Sequence, residues 1–490
     1  MASEAHSVAA PSRLPVDPAA RVVLFGSLLV GFVLRARIVF TDDGINWPDE
    51  IYQSFEPAHR LVFGYGMVAW EFLEGARTWA VPGFVAVWLE LCKLAGADSP
   101  TTYIPVVKLV FSALSGVAAF GVYRLSRGLG ARELESAAAS AIWSLCALAL
   151  YFSHRAMSEN LAAVLIVWGV ALVLEEGSTR EGRITGASLL GLATLARLQS
   201  GVVCGVVLGV LLARRSARRE IFEVFGTLVA WALVYGAWDA AAWHAVPSAK
   251  AGGFFHSAVV YYRFNIVENR GAGWGTAPWP YYFVSLFRTM PGVSVALGIS
   301  ALIAYRKAWP LLVTLAAFLA LHLFVAHKEL RFILPVMPLA CALAALAMSS
   351  WPRQPARWGL AALGLCVAVS AINHKALTMG EVGSYPERAD SSAWDDFGPV
   401  NRLLLAASKQ SDLCGLRIDA AHLAWTGGIT SLHRNAPLYM PGFSPQSGFF
   451  NYVITRTGSG AEHIATEGPW ELVKIASTCV LDANYSWKLP

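Results

Sequence analysis

The sequence predicts a helical protein that crosses a membrane many times and ends in one small polar domain. Three observations carry that expectation. The chain has 490 residues, of which 56% are hydrophobic and only 14% charged, whereas soluble domains are about one-quarter charged. Its apolar residues fall in successive runs of about twenty, the length a helix needs to cross a bilayer core. The last stretch, 376–490, departs from this pattern: it is polar, with Pro/Gly turns and short β-prone runs such as Tyr452–Thr455, which predicts a small α+β unit.

Taken in order, residues 1–20 form a tail and Arg21–Phe40 the first span. That run is too long for a signal-peptide core and lacks a small-residue cleavage pattern, so it reads as an uncleaved span. A long polar and aromatic loop, 41–101, follows. Within it, 79–95 is amphipathic enough to lie on the membrane surface rather than cross it. Further spans are predicted near 102–123, 134–153, 158–174, 183–197, 200–213, 221–245, 281–304, 308–326, 332–350 and 356–373. That makes about eleven transmembrane helices over 21–375, with a second large loop at 246–280. Cys92, Cys146, Cys204, Cys341 and Cys366 lie in apolar stretches and pack as small hydrophobes. Cys414 and Cys479 lie in the polar domain and are able to pair if it sits outside the cytoplasm.

The Lys/Arg bias of short loops sets the orientation. Arg124, Arg127 and Arg132; Arg180 and Arg183; Arg214, Arg215, Arg218 and Arg219; Arg306 and Lys307; and Arg353 and Arg357 occupy alternate loops. With Arg13 in the tail and Arg21 at the start of the first span, these mark the cytoplasmic side. The 41–101 loop, the 246–280 loop and 376–490 then share the opposite face, joined by the short turns His154–Asn160 and His327–Arg331. A nucleic-acid partner is not expected, because the basic residues lie between apolar runs rather than on a soluble face.

Every stretch that resembles chemistry falls on that outer face. His327-Lys328-Glu329-Leu330-Arg331-Phe332 sits between two apolar runs with no spacer. So dense a charge cluster belongs at the bilayer surface or beside a water-filled cavity. It suits a lipid phosphate, and it equally suits a polar turn that marks the interface. In the first loop, Trp47-Pro48-Asp49-Glu50-Ile51-Tyr52-Gln53 is followed by Glu56, His59 and Arg60, and the spacing places Asp49, Gln53, Glu56 and Arg60 near one helical face. The carboxylate pair supplies a general base and an orienting partner, unless Asp49 only caps a helix entered through Pro48. Gly64-x-Gly66-x-x-Ala69 nominally matches a dinucleotide fingerprint but has no βαβ unit around it. Gly271–Tyr282, rich in glycine and aromatics, lines a sugar cleft or anchors a re-entrant loop. The chain has no CxxC, HExxH or DxD, so neither a zinc site nor a metal-bridged nucleotide-sugar site is expected. Lys and Arg beside carboxylates suit a single lipid phosphate instead.

These residues carry a resemblance. His327-Lys328-Glu329-Leu330-Arg331-Phe332 is similar to the HKE-x-RF motif of the lipid-phosphate-mannose-dependent mannosyltransferases. That family holds the third GPI mannosyltransferase and late enzymes of N-glycan precursor assembly. Pro48-Asp49-Glu50 with Gln53 and Glu56 resembles its acidic first-loop motif, and Gly64-Tyr65-Gly66 with Trp70-Glu71 the segment after it. Arg77-Thr78-Trp79 with Pro82-Gly83, Phe264-Asn265, Gly275–Trp279 and Leu432–Tyr439 resemble later pieces. Trp47 stands where many relatives have His, and Ala69 where Thr usually precedes Trp-Glu; both changes touch the acceptor side.

The resemblance implies a GT-C fold with its catalytic face outside the cytoplasm, in a bacterial inner membrane or the endoplasmic reticulum. It implies an inverting transfer of mannose from a polyprenyl- or dolichyl-phosphate carrier to a glycolipid or lipid-linked glycan, with no metal or other cofactor. Asp49 would be the base and Glu50 would orient the loop or the acceptor. His327, Lys328, Arg331 and Arg197 would bind the donor phosphate, with Glu329 orienting them and Arg155 a weaker candidate. Gln53, Glu56, Trp70, Glu71, Trp274 and Trp279 would contact acceptor or sugar. A lipid-linked-sugar flippase uses a similar cationic lipid site, but the apolar pattern shows no internal repeat.

Overall fold

A computed structural model describes residues 14–45, 47–244, 252–383, 388–394, 397–442, 448–480 and 482–489. The first thirteen residues of the predicted tail, with Arg13, and the opening of the 246–280 loop lie outside them.

The predicted spans all fall on helices. Pro18–Thr41 (α1) is capped by Asp17, whose carboxylate accepts from the Ala19 N–H at 2.9 Å. Ala80–Leu94 (α2) is the amphipathic first-loop helix; Val81, Val85 and Leu89 are buried and Val87, Leu91 and Leu94 exposed. Then come Pro100–Gly128 (α3), Glu133–Leu145 (α4), Ala147–Phe152 (α5), Ser158–Leu174 (α6), Arg180–Ala196 (α7), Gly201–Ala213 (α8) and Arg218–His244 (α9). Tyr281–Thr289 (α10), Pro291–Ala304 (α11), Trp309–Leu323 (α12), Met337–Ser349 (α13) and Arg353–Asn373 (α14) complete the bundle. Among the described residues, five helical segments are long and apolar enough to cross a membrane alone: α1, α3, α9, Leu330–Ser349 and Arg353–Ala376.

Two predicted spans are broken. The 134–153 span divides at Cys146, which leaves the last carbonyls of α4 without helical partners. Arg35 of α1 supplies the donors: its guanidinium reaches the Ser144 carbonyl at 2.9 Å and that of Trp143 at 3.4 Å, and its Nε bonds the Ser153 hydroxyl at 2.7 Å. On the other side of the break, the Ala147 N–H donates to the Ser370 hydroxyl. The 281–304 span divides at Met290, where Pro291 starts a new helix by its fixed φ and missing N–H.

Small residues allow a close helix crossing. A side chain at Gly169 of α6 or Gly186 of α7 would meet the other's carbonyl oxygen within 3 Å; such close approach is how helices pack where lipid supplies no hydrophobic drive between them. From Met337 to Met348, α13 is buried at every position except Ala340, so the residues that precede it enter at the centre of the bundle.

The two ends of the bundle differ in kind. At one end basic side chains meet carboxylates and carbonyls: Arg124 with Glu175 at 2.9 Å, Arg183 with Glu223 at 2.6 Å, Arg132 with the Met348 carbonyl at 2.8 Å, and Lys307 with that of Gly130 at 3.0 Å. The first loop and the C-terminal unit gather at the other end.

That unit has its own core. Residues Leu377, Met379, Val382 and Ala393 pack with the bundle, whereas Val400, Leu403 and Leu404 of Gly398–Ser408 (α15) pack under a five-stranded sheet. The strands are Leu416–Ile418 (β1), Leu438–Tyr439 (β2), Tyr452–Arg456 (β3), Glu462–Glu467 (β4) and Trp470–Lys474 (β5), in the order β2-β1-β3-β5-β4. β1 runs parallel to β2 and β3, and β5 antiparallel to β3 and β4. A Cys414–Cys479 disulfide joins the segment before β1 to the segment after β5, with Cα atoms 6.0 Å apart. Ile45, Ile51, Tyr52, Met67 and Ala69 of the first loop belong to the same apolar core, and the Val68 N–H donates to the Trp487 carbonyl at 2.7 Å. The sheet therefore braces the first loop.

Candidate active site

The site is built where the first loop meets the stretch before α13. Pro48–Glu50 makes one α-turn, Ile51–Phe55 a π-turn, and Glu56–Phe63 an α-helix. A π-turn carries one extra residue, so it rotates everything after it by about 100° relative to a continuous helix. Asp49 and Gln53 therefore line a small cleft with Arg77, Thr78, Ser158 and Glu159, while Glu56 turns away. The expectation of one shared helical face fails at that point. The Glu56 carboxylate is fully buried and accepts from the Met67 N–H (2.7 Å), the Thr430 N–H (2.6 Å) and the Thr430 hydroxyl (3.0 Å). Gly428 has to be glycine there: its φ is +52°, and a Cβ would lie 2.6 Å from Glu56 Oε1. Glu56 thus ties the first loop to the C-terminal unit.

Asp49 meets the charged hexad directly. Its Oδ2 is 2.6 Å from the Arg331 guanidinium. Arg331 also binds Glu329 through Nε at 2.7 Å and Glu159 at 2.9 Å, and it is packed by the rings of Phe332 and Trp47, 4.9 and 5.7 Å away. Arg197 shares the same Glu159 oxygen at 3.0 Å and also lies against the Phe332 ring, 5.5 Å from its centroid. The carboxylates differ sharply in access: the Asp49 side chain is 23% exposed, Glu329 9% and Glu159 2%. Of the three, Asp49 is the most accessible from the cleft.

Glu50 points elsewhere. It is fully buried, 3.2 Å from Arg155, and accepts weakly from the Ala156 N–H. Arg155 also faces Asp42 at 4.0 Å. The pair ties the first loop to the turn before α6, which leaves loop orientation as the task open to Glu50 and places Arg155 beneath the cleft.

His327 and Lys328 fasten a neighbouring loop. His327 Nδ1 lies 3.0 Å from the Gly275 carbonyl and Nε2 3.0 Å from Glu329. Burial alone would discharge His327, but the Glu329 carboxylate outweighs it and holds the imidazole above its usual value. Burial likewise favours neutral Glu329, and Arg331 with His327 overrides it, holding the carboxyl well below its usual range. The Lys328 ammonium donates to the carbonyls of Val325 (2.7 Å) and Ala277 (2.9 Å). These contacts seat the glycine- and aromatic-rich segment against the hexad.

Glu71 accepts from the Gln53 amide at 2.7 Å. Burial, then the charge of Asp49, pushes its carboxyl up to about 7. Trp70 stacks face to face on Phe264 at 3.9 Å and lies 5.4 Å from Trp274, so one face of its ring is already covered. Trp274 and Trp279 keep open surface, at 53% and 70% exposure.

Two arginines carry more than their sequence context indicates. Arg35 lies with Arg37 in an apolar run, and the break in α4 gives it partners beyond its own helix. Arg77 opens one of the resembling segments, yet an isolated loop arginine has the same signature as an interface residue.

Residues 28–383 match the Alg9-like mannosyltransferase family. The chain is 26% identical to human GPI alpha-1,2-mannosyltransferase 3 over 66% of its length and 58% of the relative's, and 29% identical to mannosyltransferase APTG1 of Arabidopsis thaliana over 60% and 53%. The aligned part thus spans little more than half of these relatives. Among solved structures, ArnT from Cupriavidus metallidurans bound to undecaprenyl phosphate superposes with a TM-score of 0.57 at 13% identity, covering 92% of this chain and 99% of that one. The mycobacterial arabinofuranosyltransferase AftD gives 0.51 at 14% identity, over 91% and 35%. These likenesses show the fold, which is the GT-C fold. With the match extending from α1 through the hexad and α14, the chain belongs to the Alg9-like mannosyltransferase family.

Proposed function

We propose that the chain is an inverting mannosyltransferase that takes mannose from a polyprenyl- or dolichyl-phosphate carrier and delivers it to a glycolipid or lipid-linked glycan on the extracytoplasmic face. The observation that carries this is the meeting of Asp49 with the hexad: the most accessible carboxylate of the cleft is held at 2.6 Å by the most thoroughly fixed guanidinium. That ArnT, of like fold, is bound to undecaprenyl phosphate supports a lipid-phosphate donor, and the human relative's name supports mannose and a GPI-like acceptor.

In this reading Arg331 occupies Oδ2 of Asp49, leaving Oδ1 for the acceptor. The acceptor hydroxyl gives its proton to Asp49 as its oxygen bonds the anomeric carbon. The bond from that carbon to the phosphate oxygen breaks, and its electron pair leaves with polyprenyl phosphate. A phosphate monoester is a good leaving group, so no strong general acid is required. Electrostatic stabilisation of the departing charge is the other main term. Glu159 and Glu329 hold Arg331 from two further sides and so fix where Asp49 points. Trp274 and Trp279 offer exposed ring surface to a sugar.

The test is direct. Purified protein given a lipid-phosphate mannose and a glycolipid acceptor releases free polyprenyl phosphate and forms an α-mannoside, with no loss in EDTA. Movement of the intact lipid-phosphate sugar across a vesicle, without that release, would instead show a flippase.

A further inference from the structure

In-line displacement divides the site into two halves. The base and the departing phosphate lie on opposite faces of the sugar ring, so the leaving oxygen stands about 7 Å from the base oxygen, given hydrogen-bond contact on one side and near-attack contact at carbon. Arg331 touches Asp49 at 2.6 Å and is therefore on the base's side. It already faces three carboxylates, Asp49, Glu159 and Glu329. Arg197 shares Glu159 with it. Three carboxylates around two guanidiniums leave this floor without positive charge to offer an arriving phosphate. Arg155 is committed to Glu50 and Asp42 beneath the cleft, and Lys328 to loop carbonyls.

Arg77 differs from all of these. It lines the same cleft as Asp49, Gln53 and Glu159. Among the described residues no carboxylate lies within ion-pair distance of it, no hydrogen bond reaches it, and its Nε is buried without a partner. Its guanidinium rests on the ring of Tyr261, 5.4 Å from the centroid, and that ring is held in turn by the Gln199 amide at its hydroxyl. The backbone under Arg77 is fixed as well, because the Thr78 hydroxyl donates to the Leu195 carbonyl at the end of α7 at 2.7 Å. A positioned guanidinium with unmet donors beside a cleft is costly unless an anion completes it. Its planar fork matches two phosphate oxygens.

We infer that Arg77, seated on Tyr261, is the residue that binds the phosphate of the lipid-linked sugar donor, and that the arginine of the hexad serves the base instead. This rests on the lipid-phosphate reading above, and it divides the cleft into an Arg77 side for the leaving group and an Asp49–Arg331 side for the acceptor.

The experiment measures binding of dolichyl or undecaprenyl phosphate, and of the uncharged parent polyprenol, to purified full-length protein in detergent, together with donor and acceptor KM. Arg77→Ala should weaken polyprenyl phosphate by about 10- to 100-fold, the value of hydrogen bonds to a charged group. It should raise donor KM, leave acceptor KM unchanged and leave polyprenol binding as in the wild type. Arg77→Lys, which keeps the charge but not the fork, should recover part of the loss, and Asp49→Asn should bind polyprenyl phosphate normally. Equal binding by Arg77→Ala and wild type overturns the assignment. So does a loss that falls on acceptor KM, which would place an acceptor phosphate there, or one that extends equally to polyprenol, which would mark a structural role. A wild-type protein that binds polyprenol as tightly as polyprenyl phosphate removes the donor reading itself, a result distinct from any behaviour of Arg77→Ala.

Discussion

Replacing Arg331 with alanine removes the one group that three carboxylates share. The guanidinium contacts Asp49 at 2.6 Å, Glu329 at 2.7 Å and Glu159 at 2.9 Å, and its side chain is only 4% exposed. Taking away one partner of a buried ion pair costs about 3–5 kcal/mol, because the remaining charge is left in a medium that solvates it poorly. Here Arg197 keeps one hold on Glu159 and His327 one on Glu329, so the lower half of that range is expected, about 3 kcal/mol. Arg331→Ala should lower the melting temperature in detergent. Adding Glu159→Gln should return part of it, since the second change removes a stranded charge; a coupling of about 1–3 kcal/mol fits residues in one network. Arg331→Lys should fall between, because an ammonium replaces the charge but cannot reach three carboxylates at once. Wild-type stability for Arg331→Ala, or strictly additive losses with Glu159→Gln, would refute the reasoning that these groups form one balanced cluster.

Two predictions concern the C-terminal unit. The Cys414–Cys479 bridge closes a loop of 65 residues, so Cys414→Ser with Cys479→Ser should cost about 4 kcal/mol by chain entropy. Limited proteolysis of that unit should quicken, and the wild type should resist thiol labelling at both positions until reduced. The second follows from His59, whose ring Nδ1 lies 2.9 Å from the Tyr65 carbonyl and whose Nε2 lies 2.9 Å from His433 Nδ1. Burial pulls this imidazole down to about 4. An unfolded histidine titrates near 6.5, so between those values the unfolded chain binds more protons and stability falls as pH drops, by up to about 3 kcal/mol. Thermal melts from pH 7 to pH 4 should show the unit loosening, and His59→Asn should flatten that limb.

How far the sequence could be read depended on whether a feature is local. Runs such as 102–123 and 356–373 state their own helices, and the alternation of Val81, Val85 and Leu89 with exposed neighbours is enough to lay α2 on a surface. The hexad was conspicuous because charge between two apolar runs has few places to sit. What escaped depends on register or on distant partners. A π-turn over Ile51–Phe55 has no composition of its own, so Glu56 looked like a cleft residue until its carboxylate was found against Thr430. The break at Cys146 needs Arg35 from another helix to satisfy the freed carbonyls. Trp70 had the aromatic signature of a sugar platform, but Phe264, nearly two hundred residues on, covers one of its faces. For the cations, a motif gives their presence and not their pairing, and pairing separates Arg331 from Arg77.

The central claim is that Asp49 takes the acceptor's proton in the transfer of mannose from a lipid phosphate. The most direct test is release of polyprenyl phosphate and formation of α-mannoside by purified wild type and Asp49→Asn side by side. The asparagine keeps the size of the side chain but not its basicity, so donor binding should persist while turnover falls by about 10²–10⁴-fold, the usual contribution of a positioned base. Turnover by Asp49→Asn within a fewfold of wild type would contradict the account.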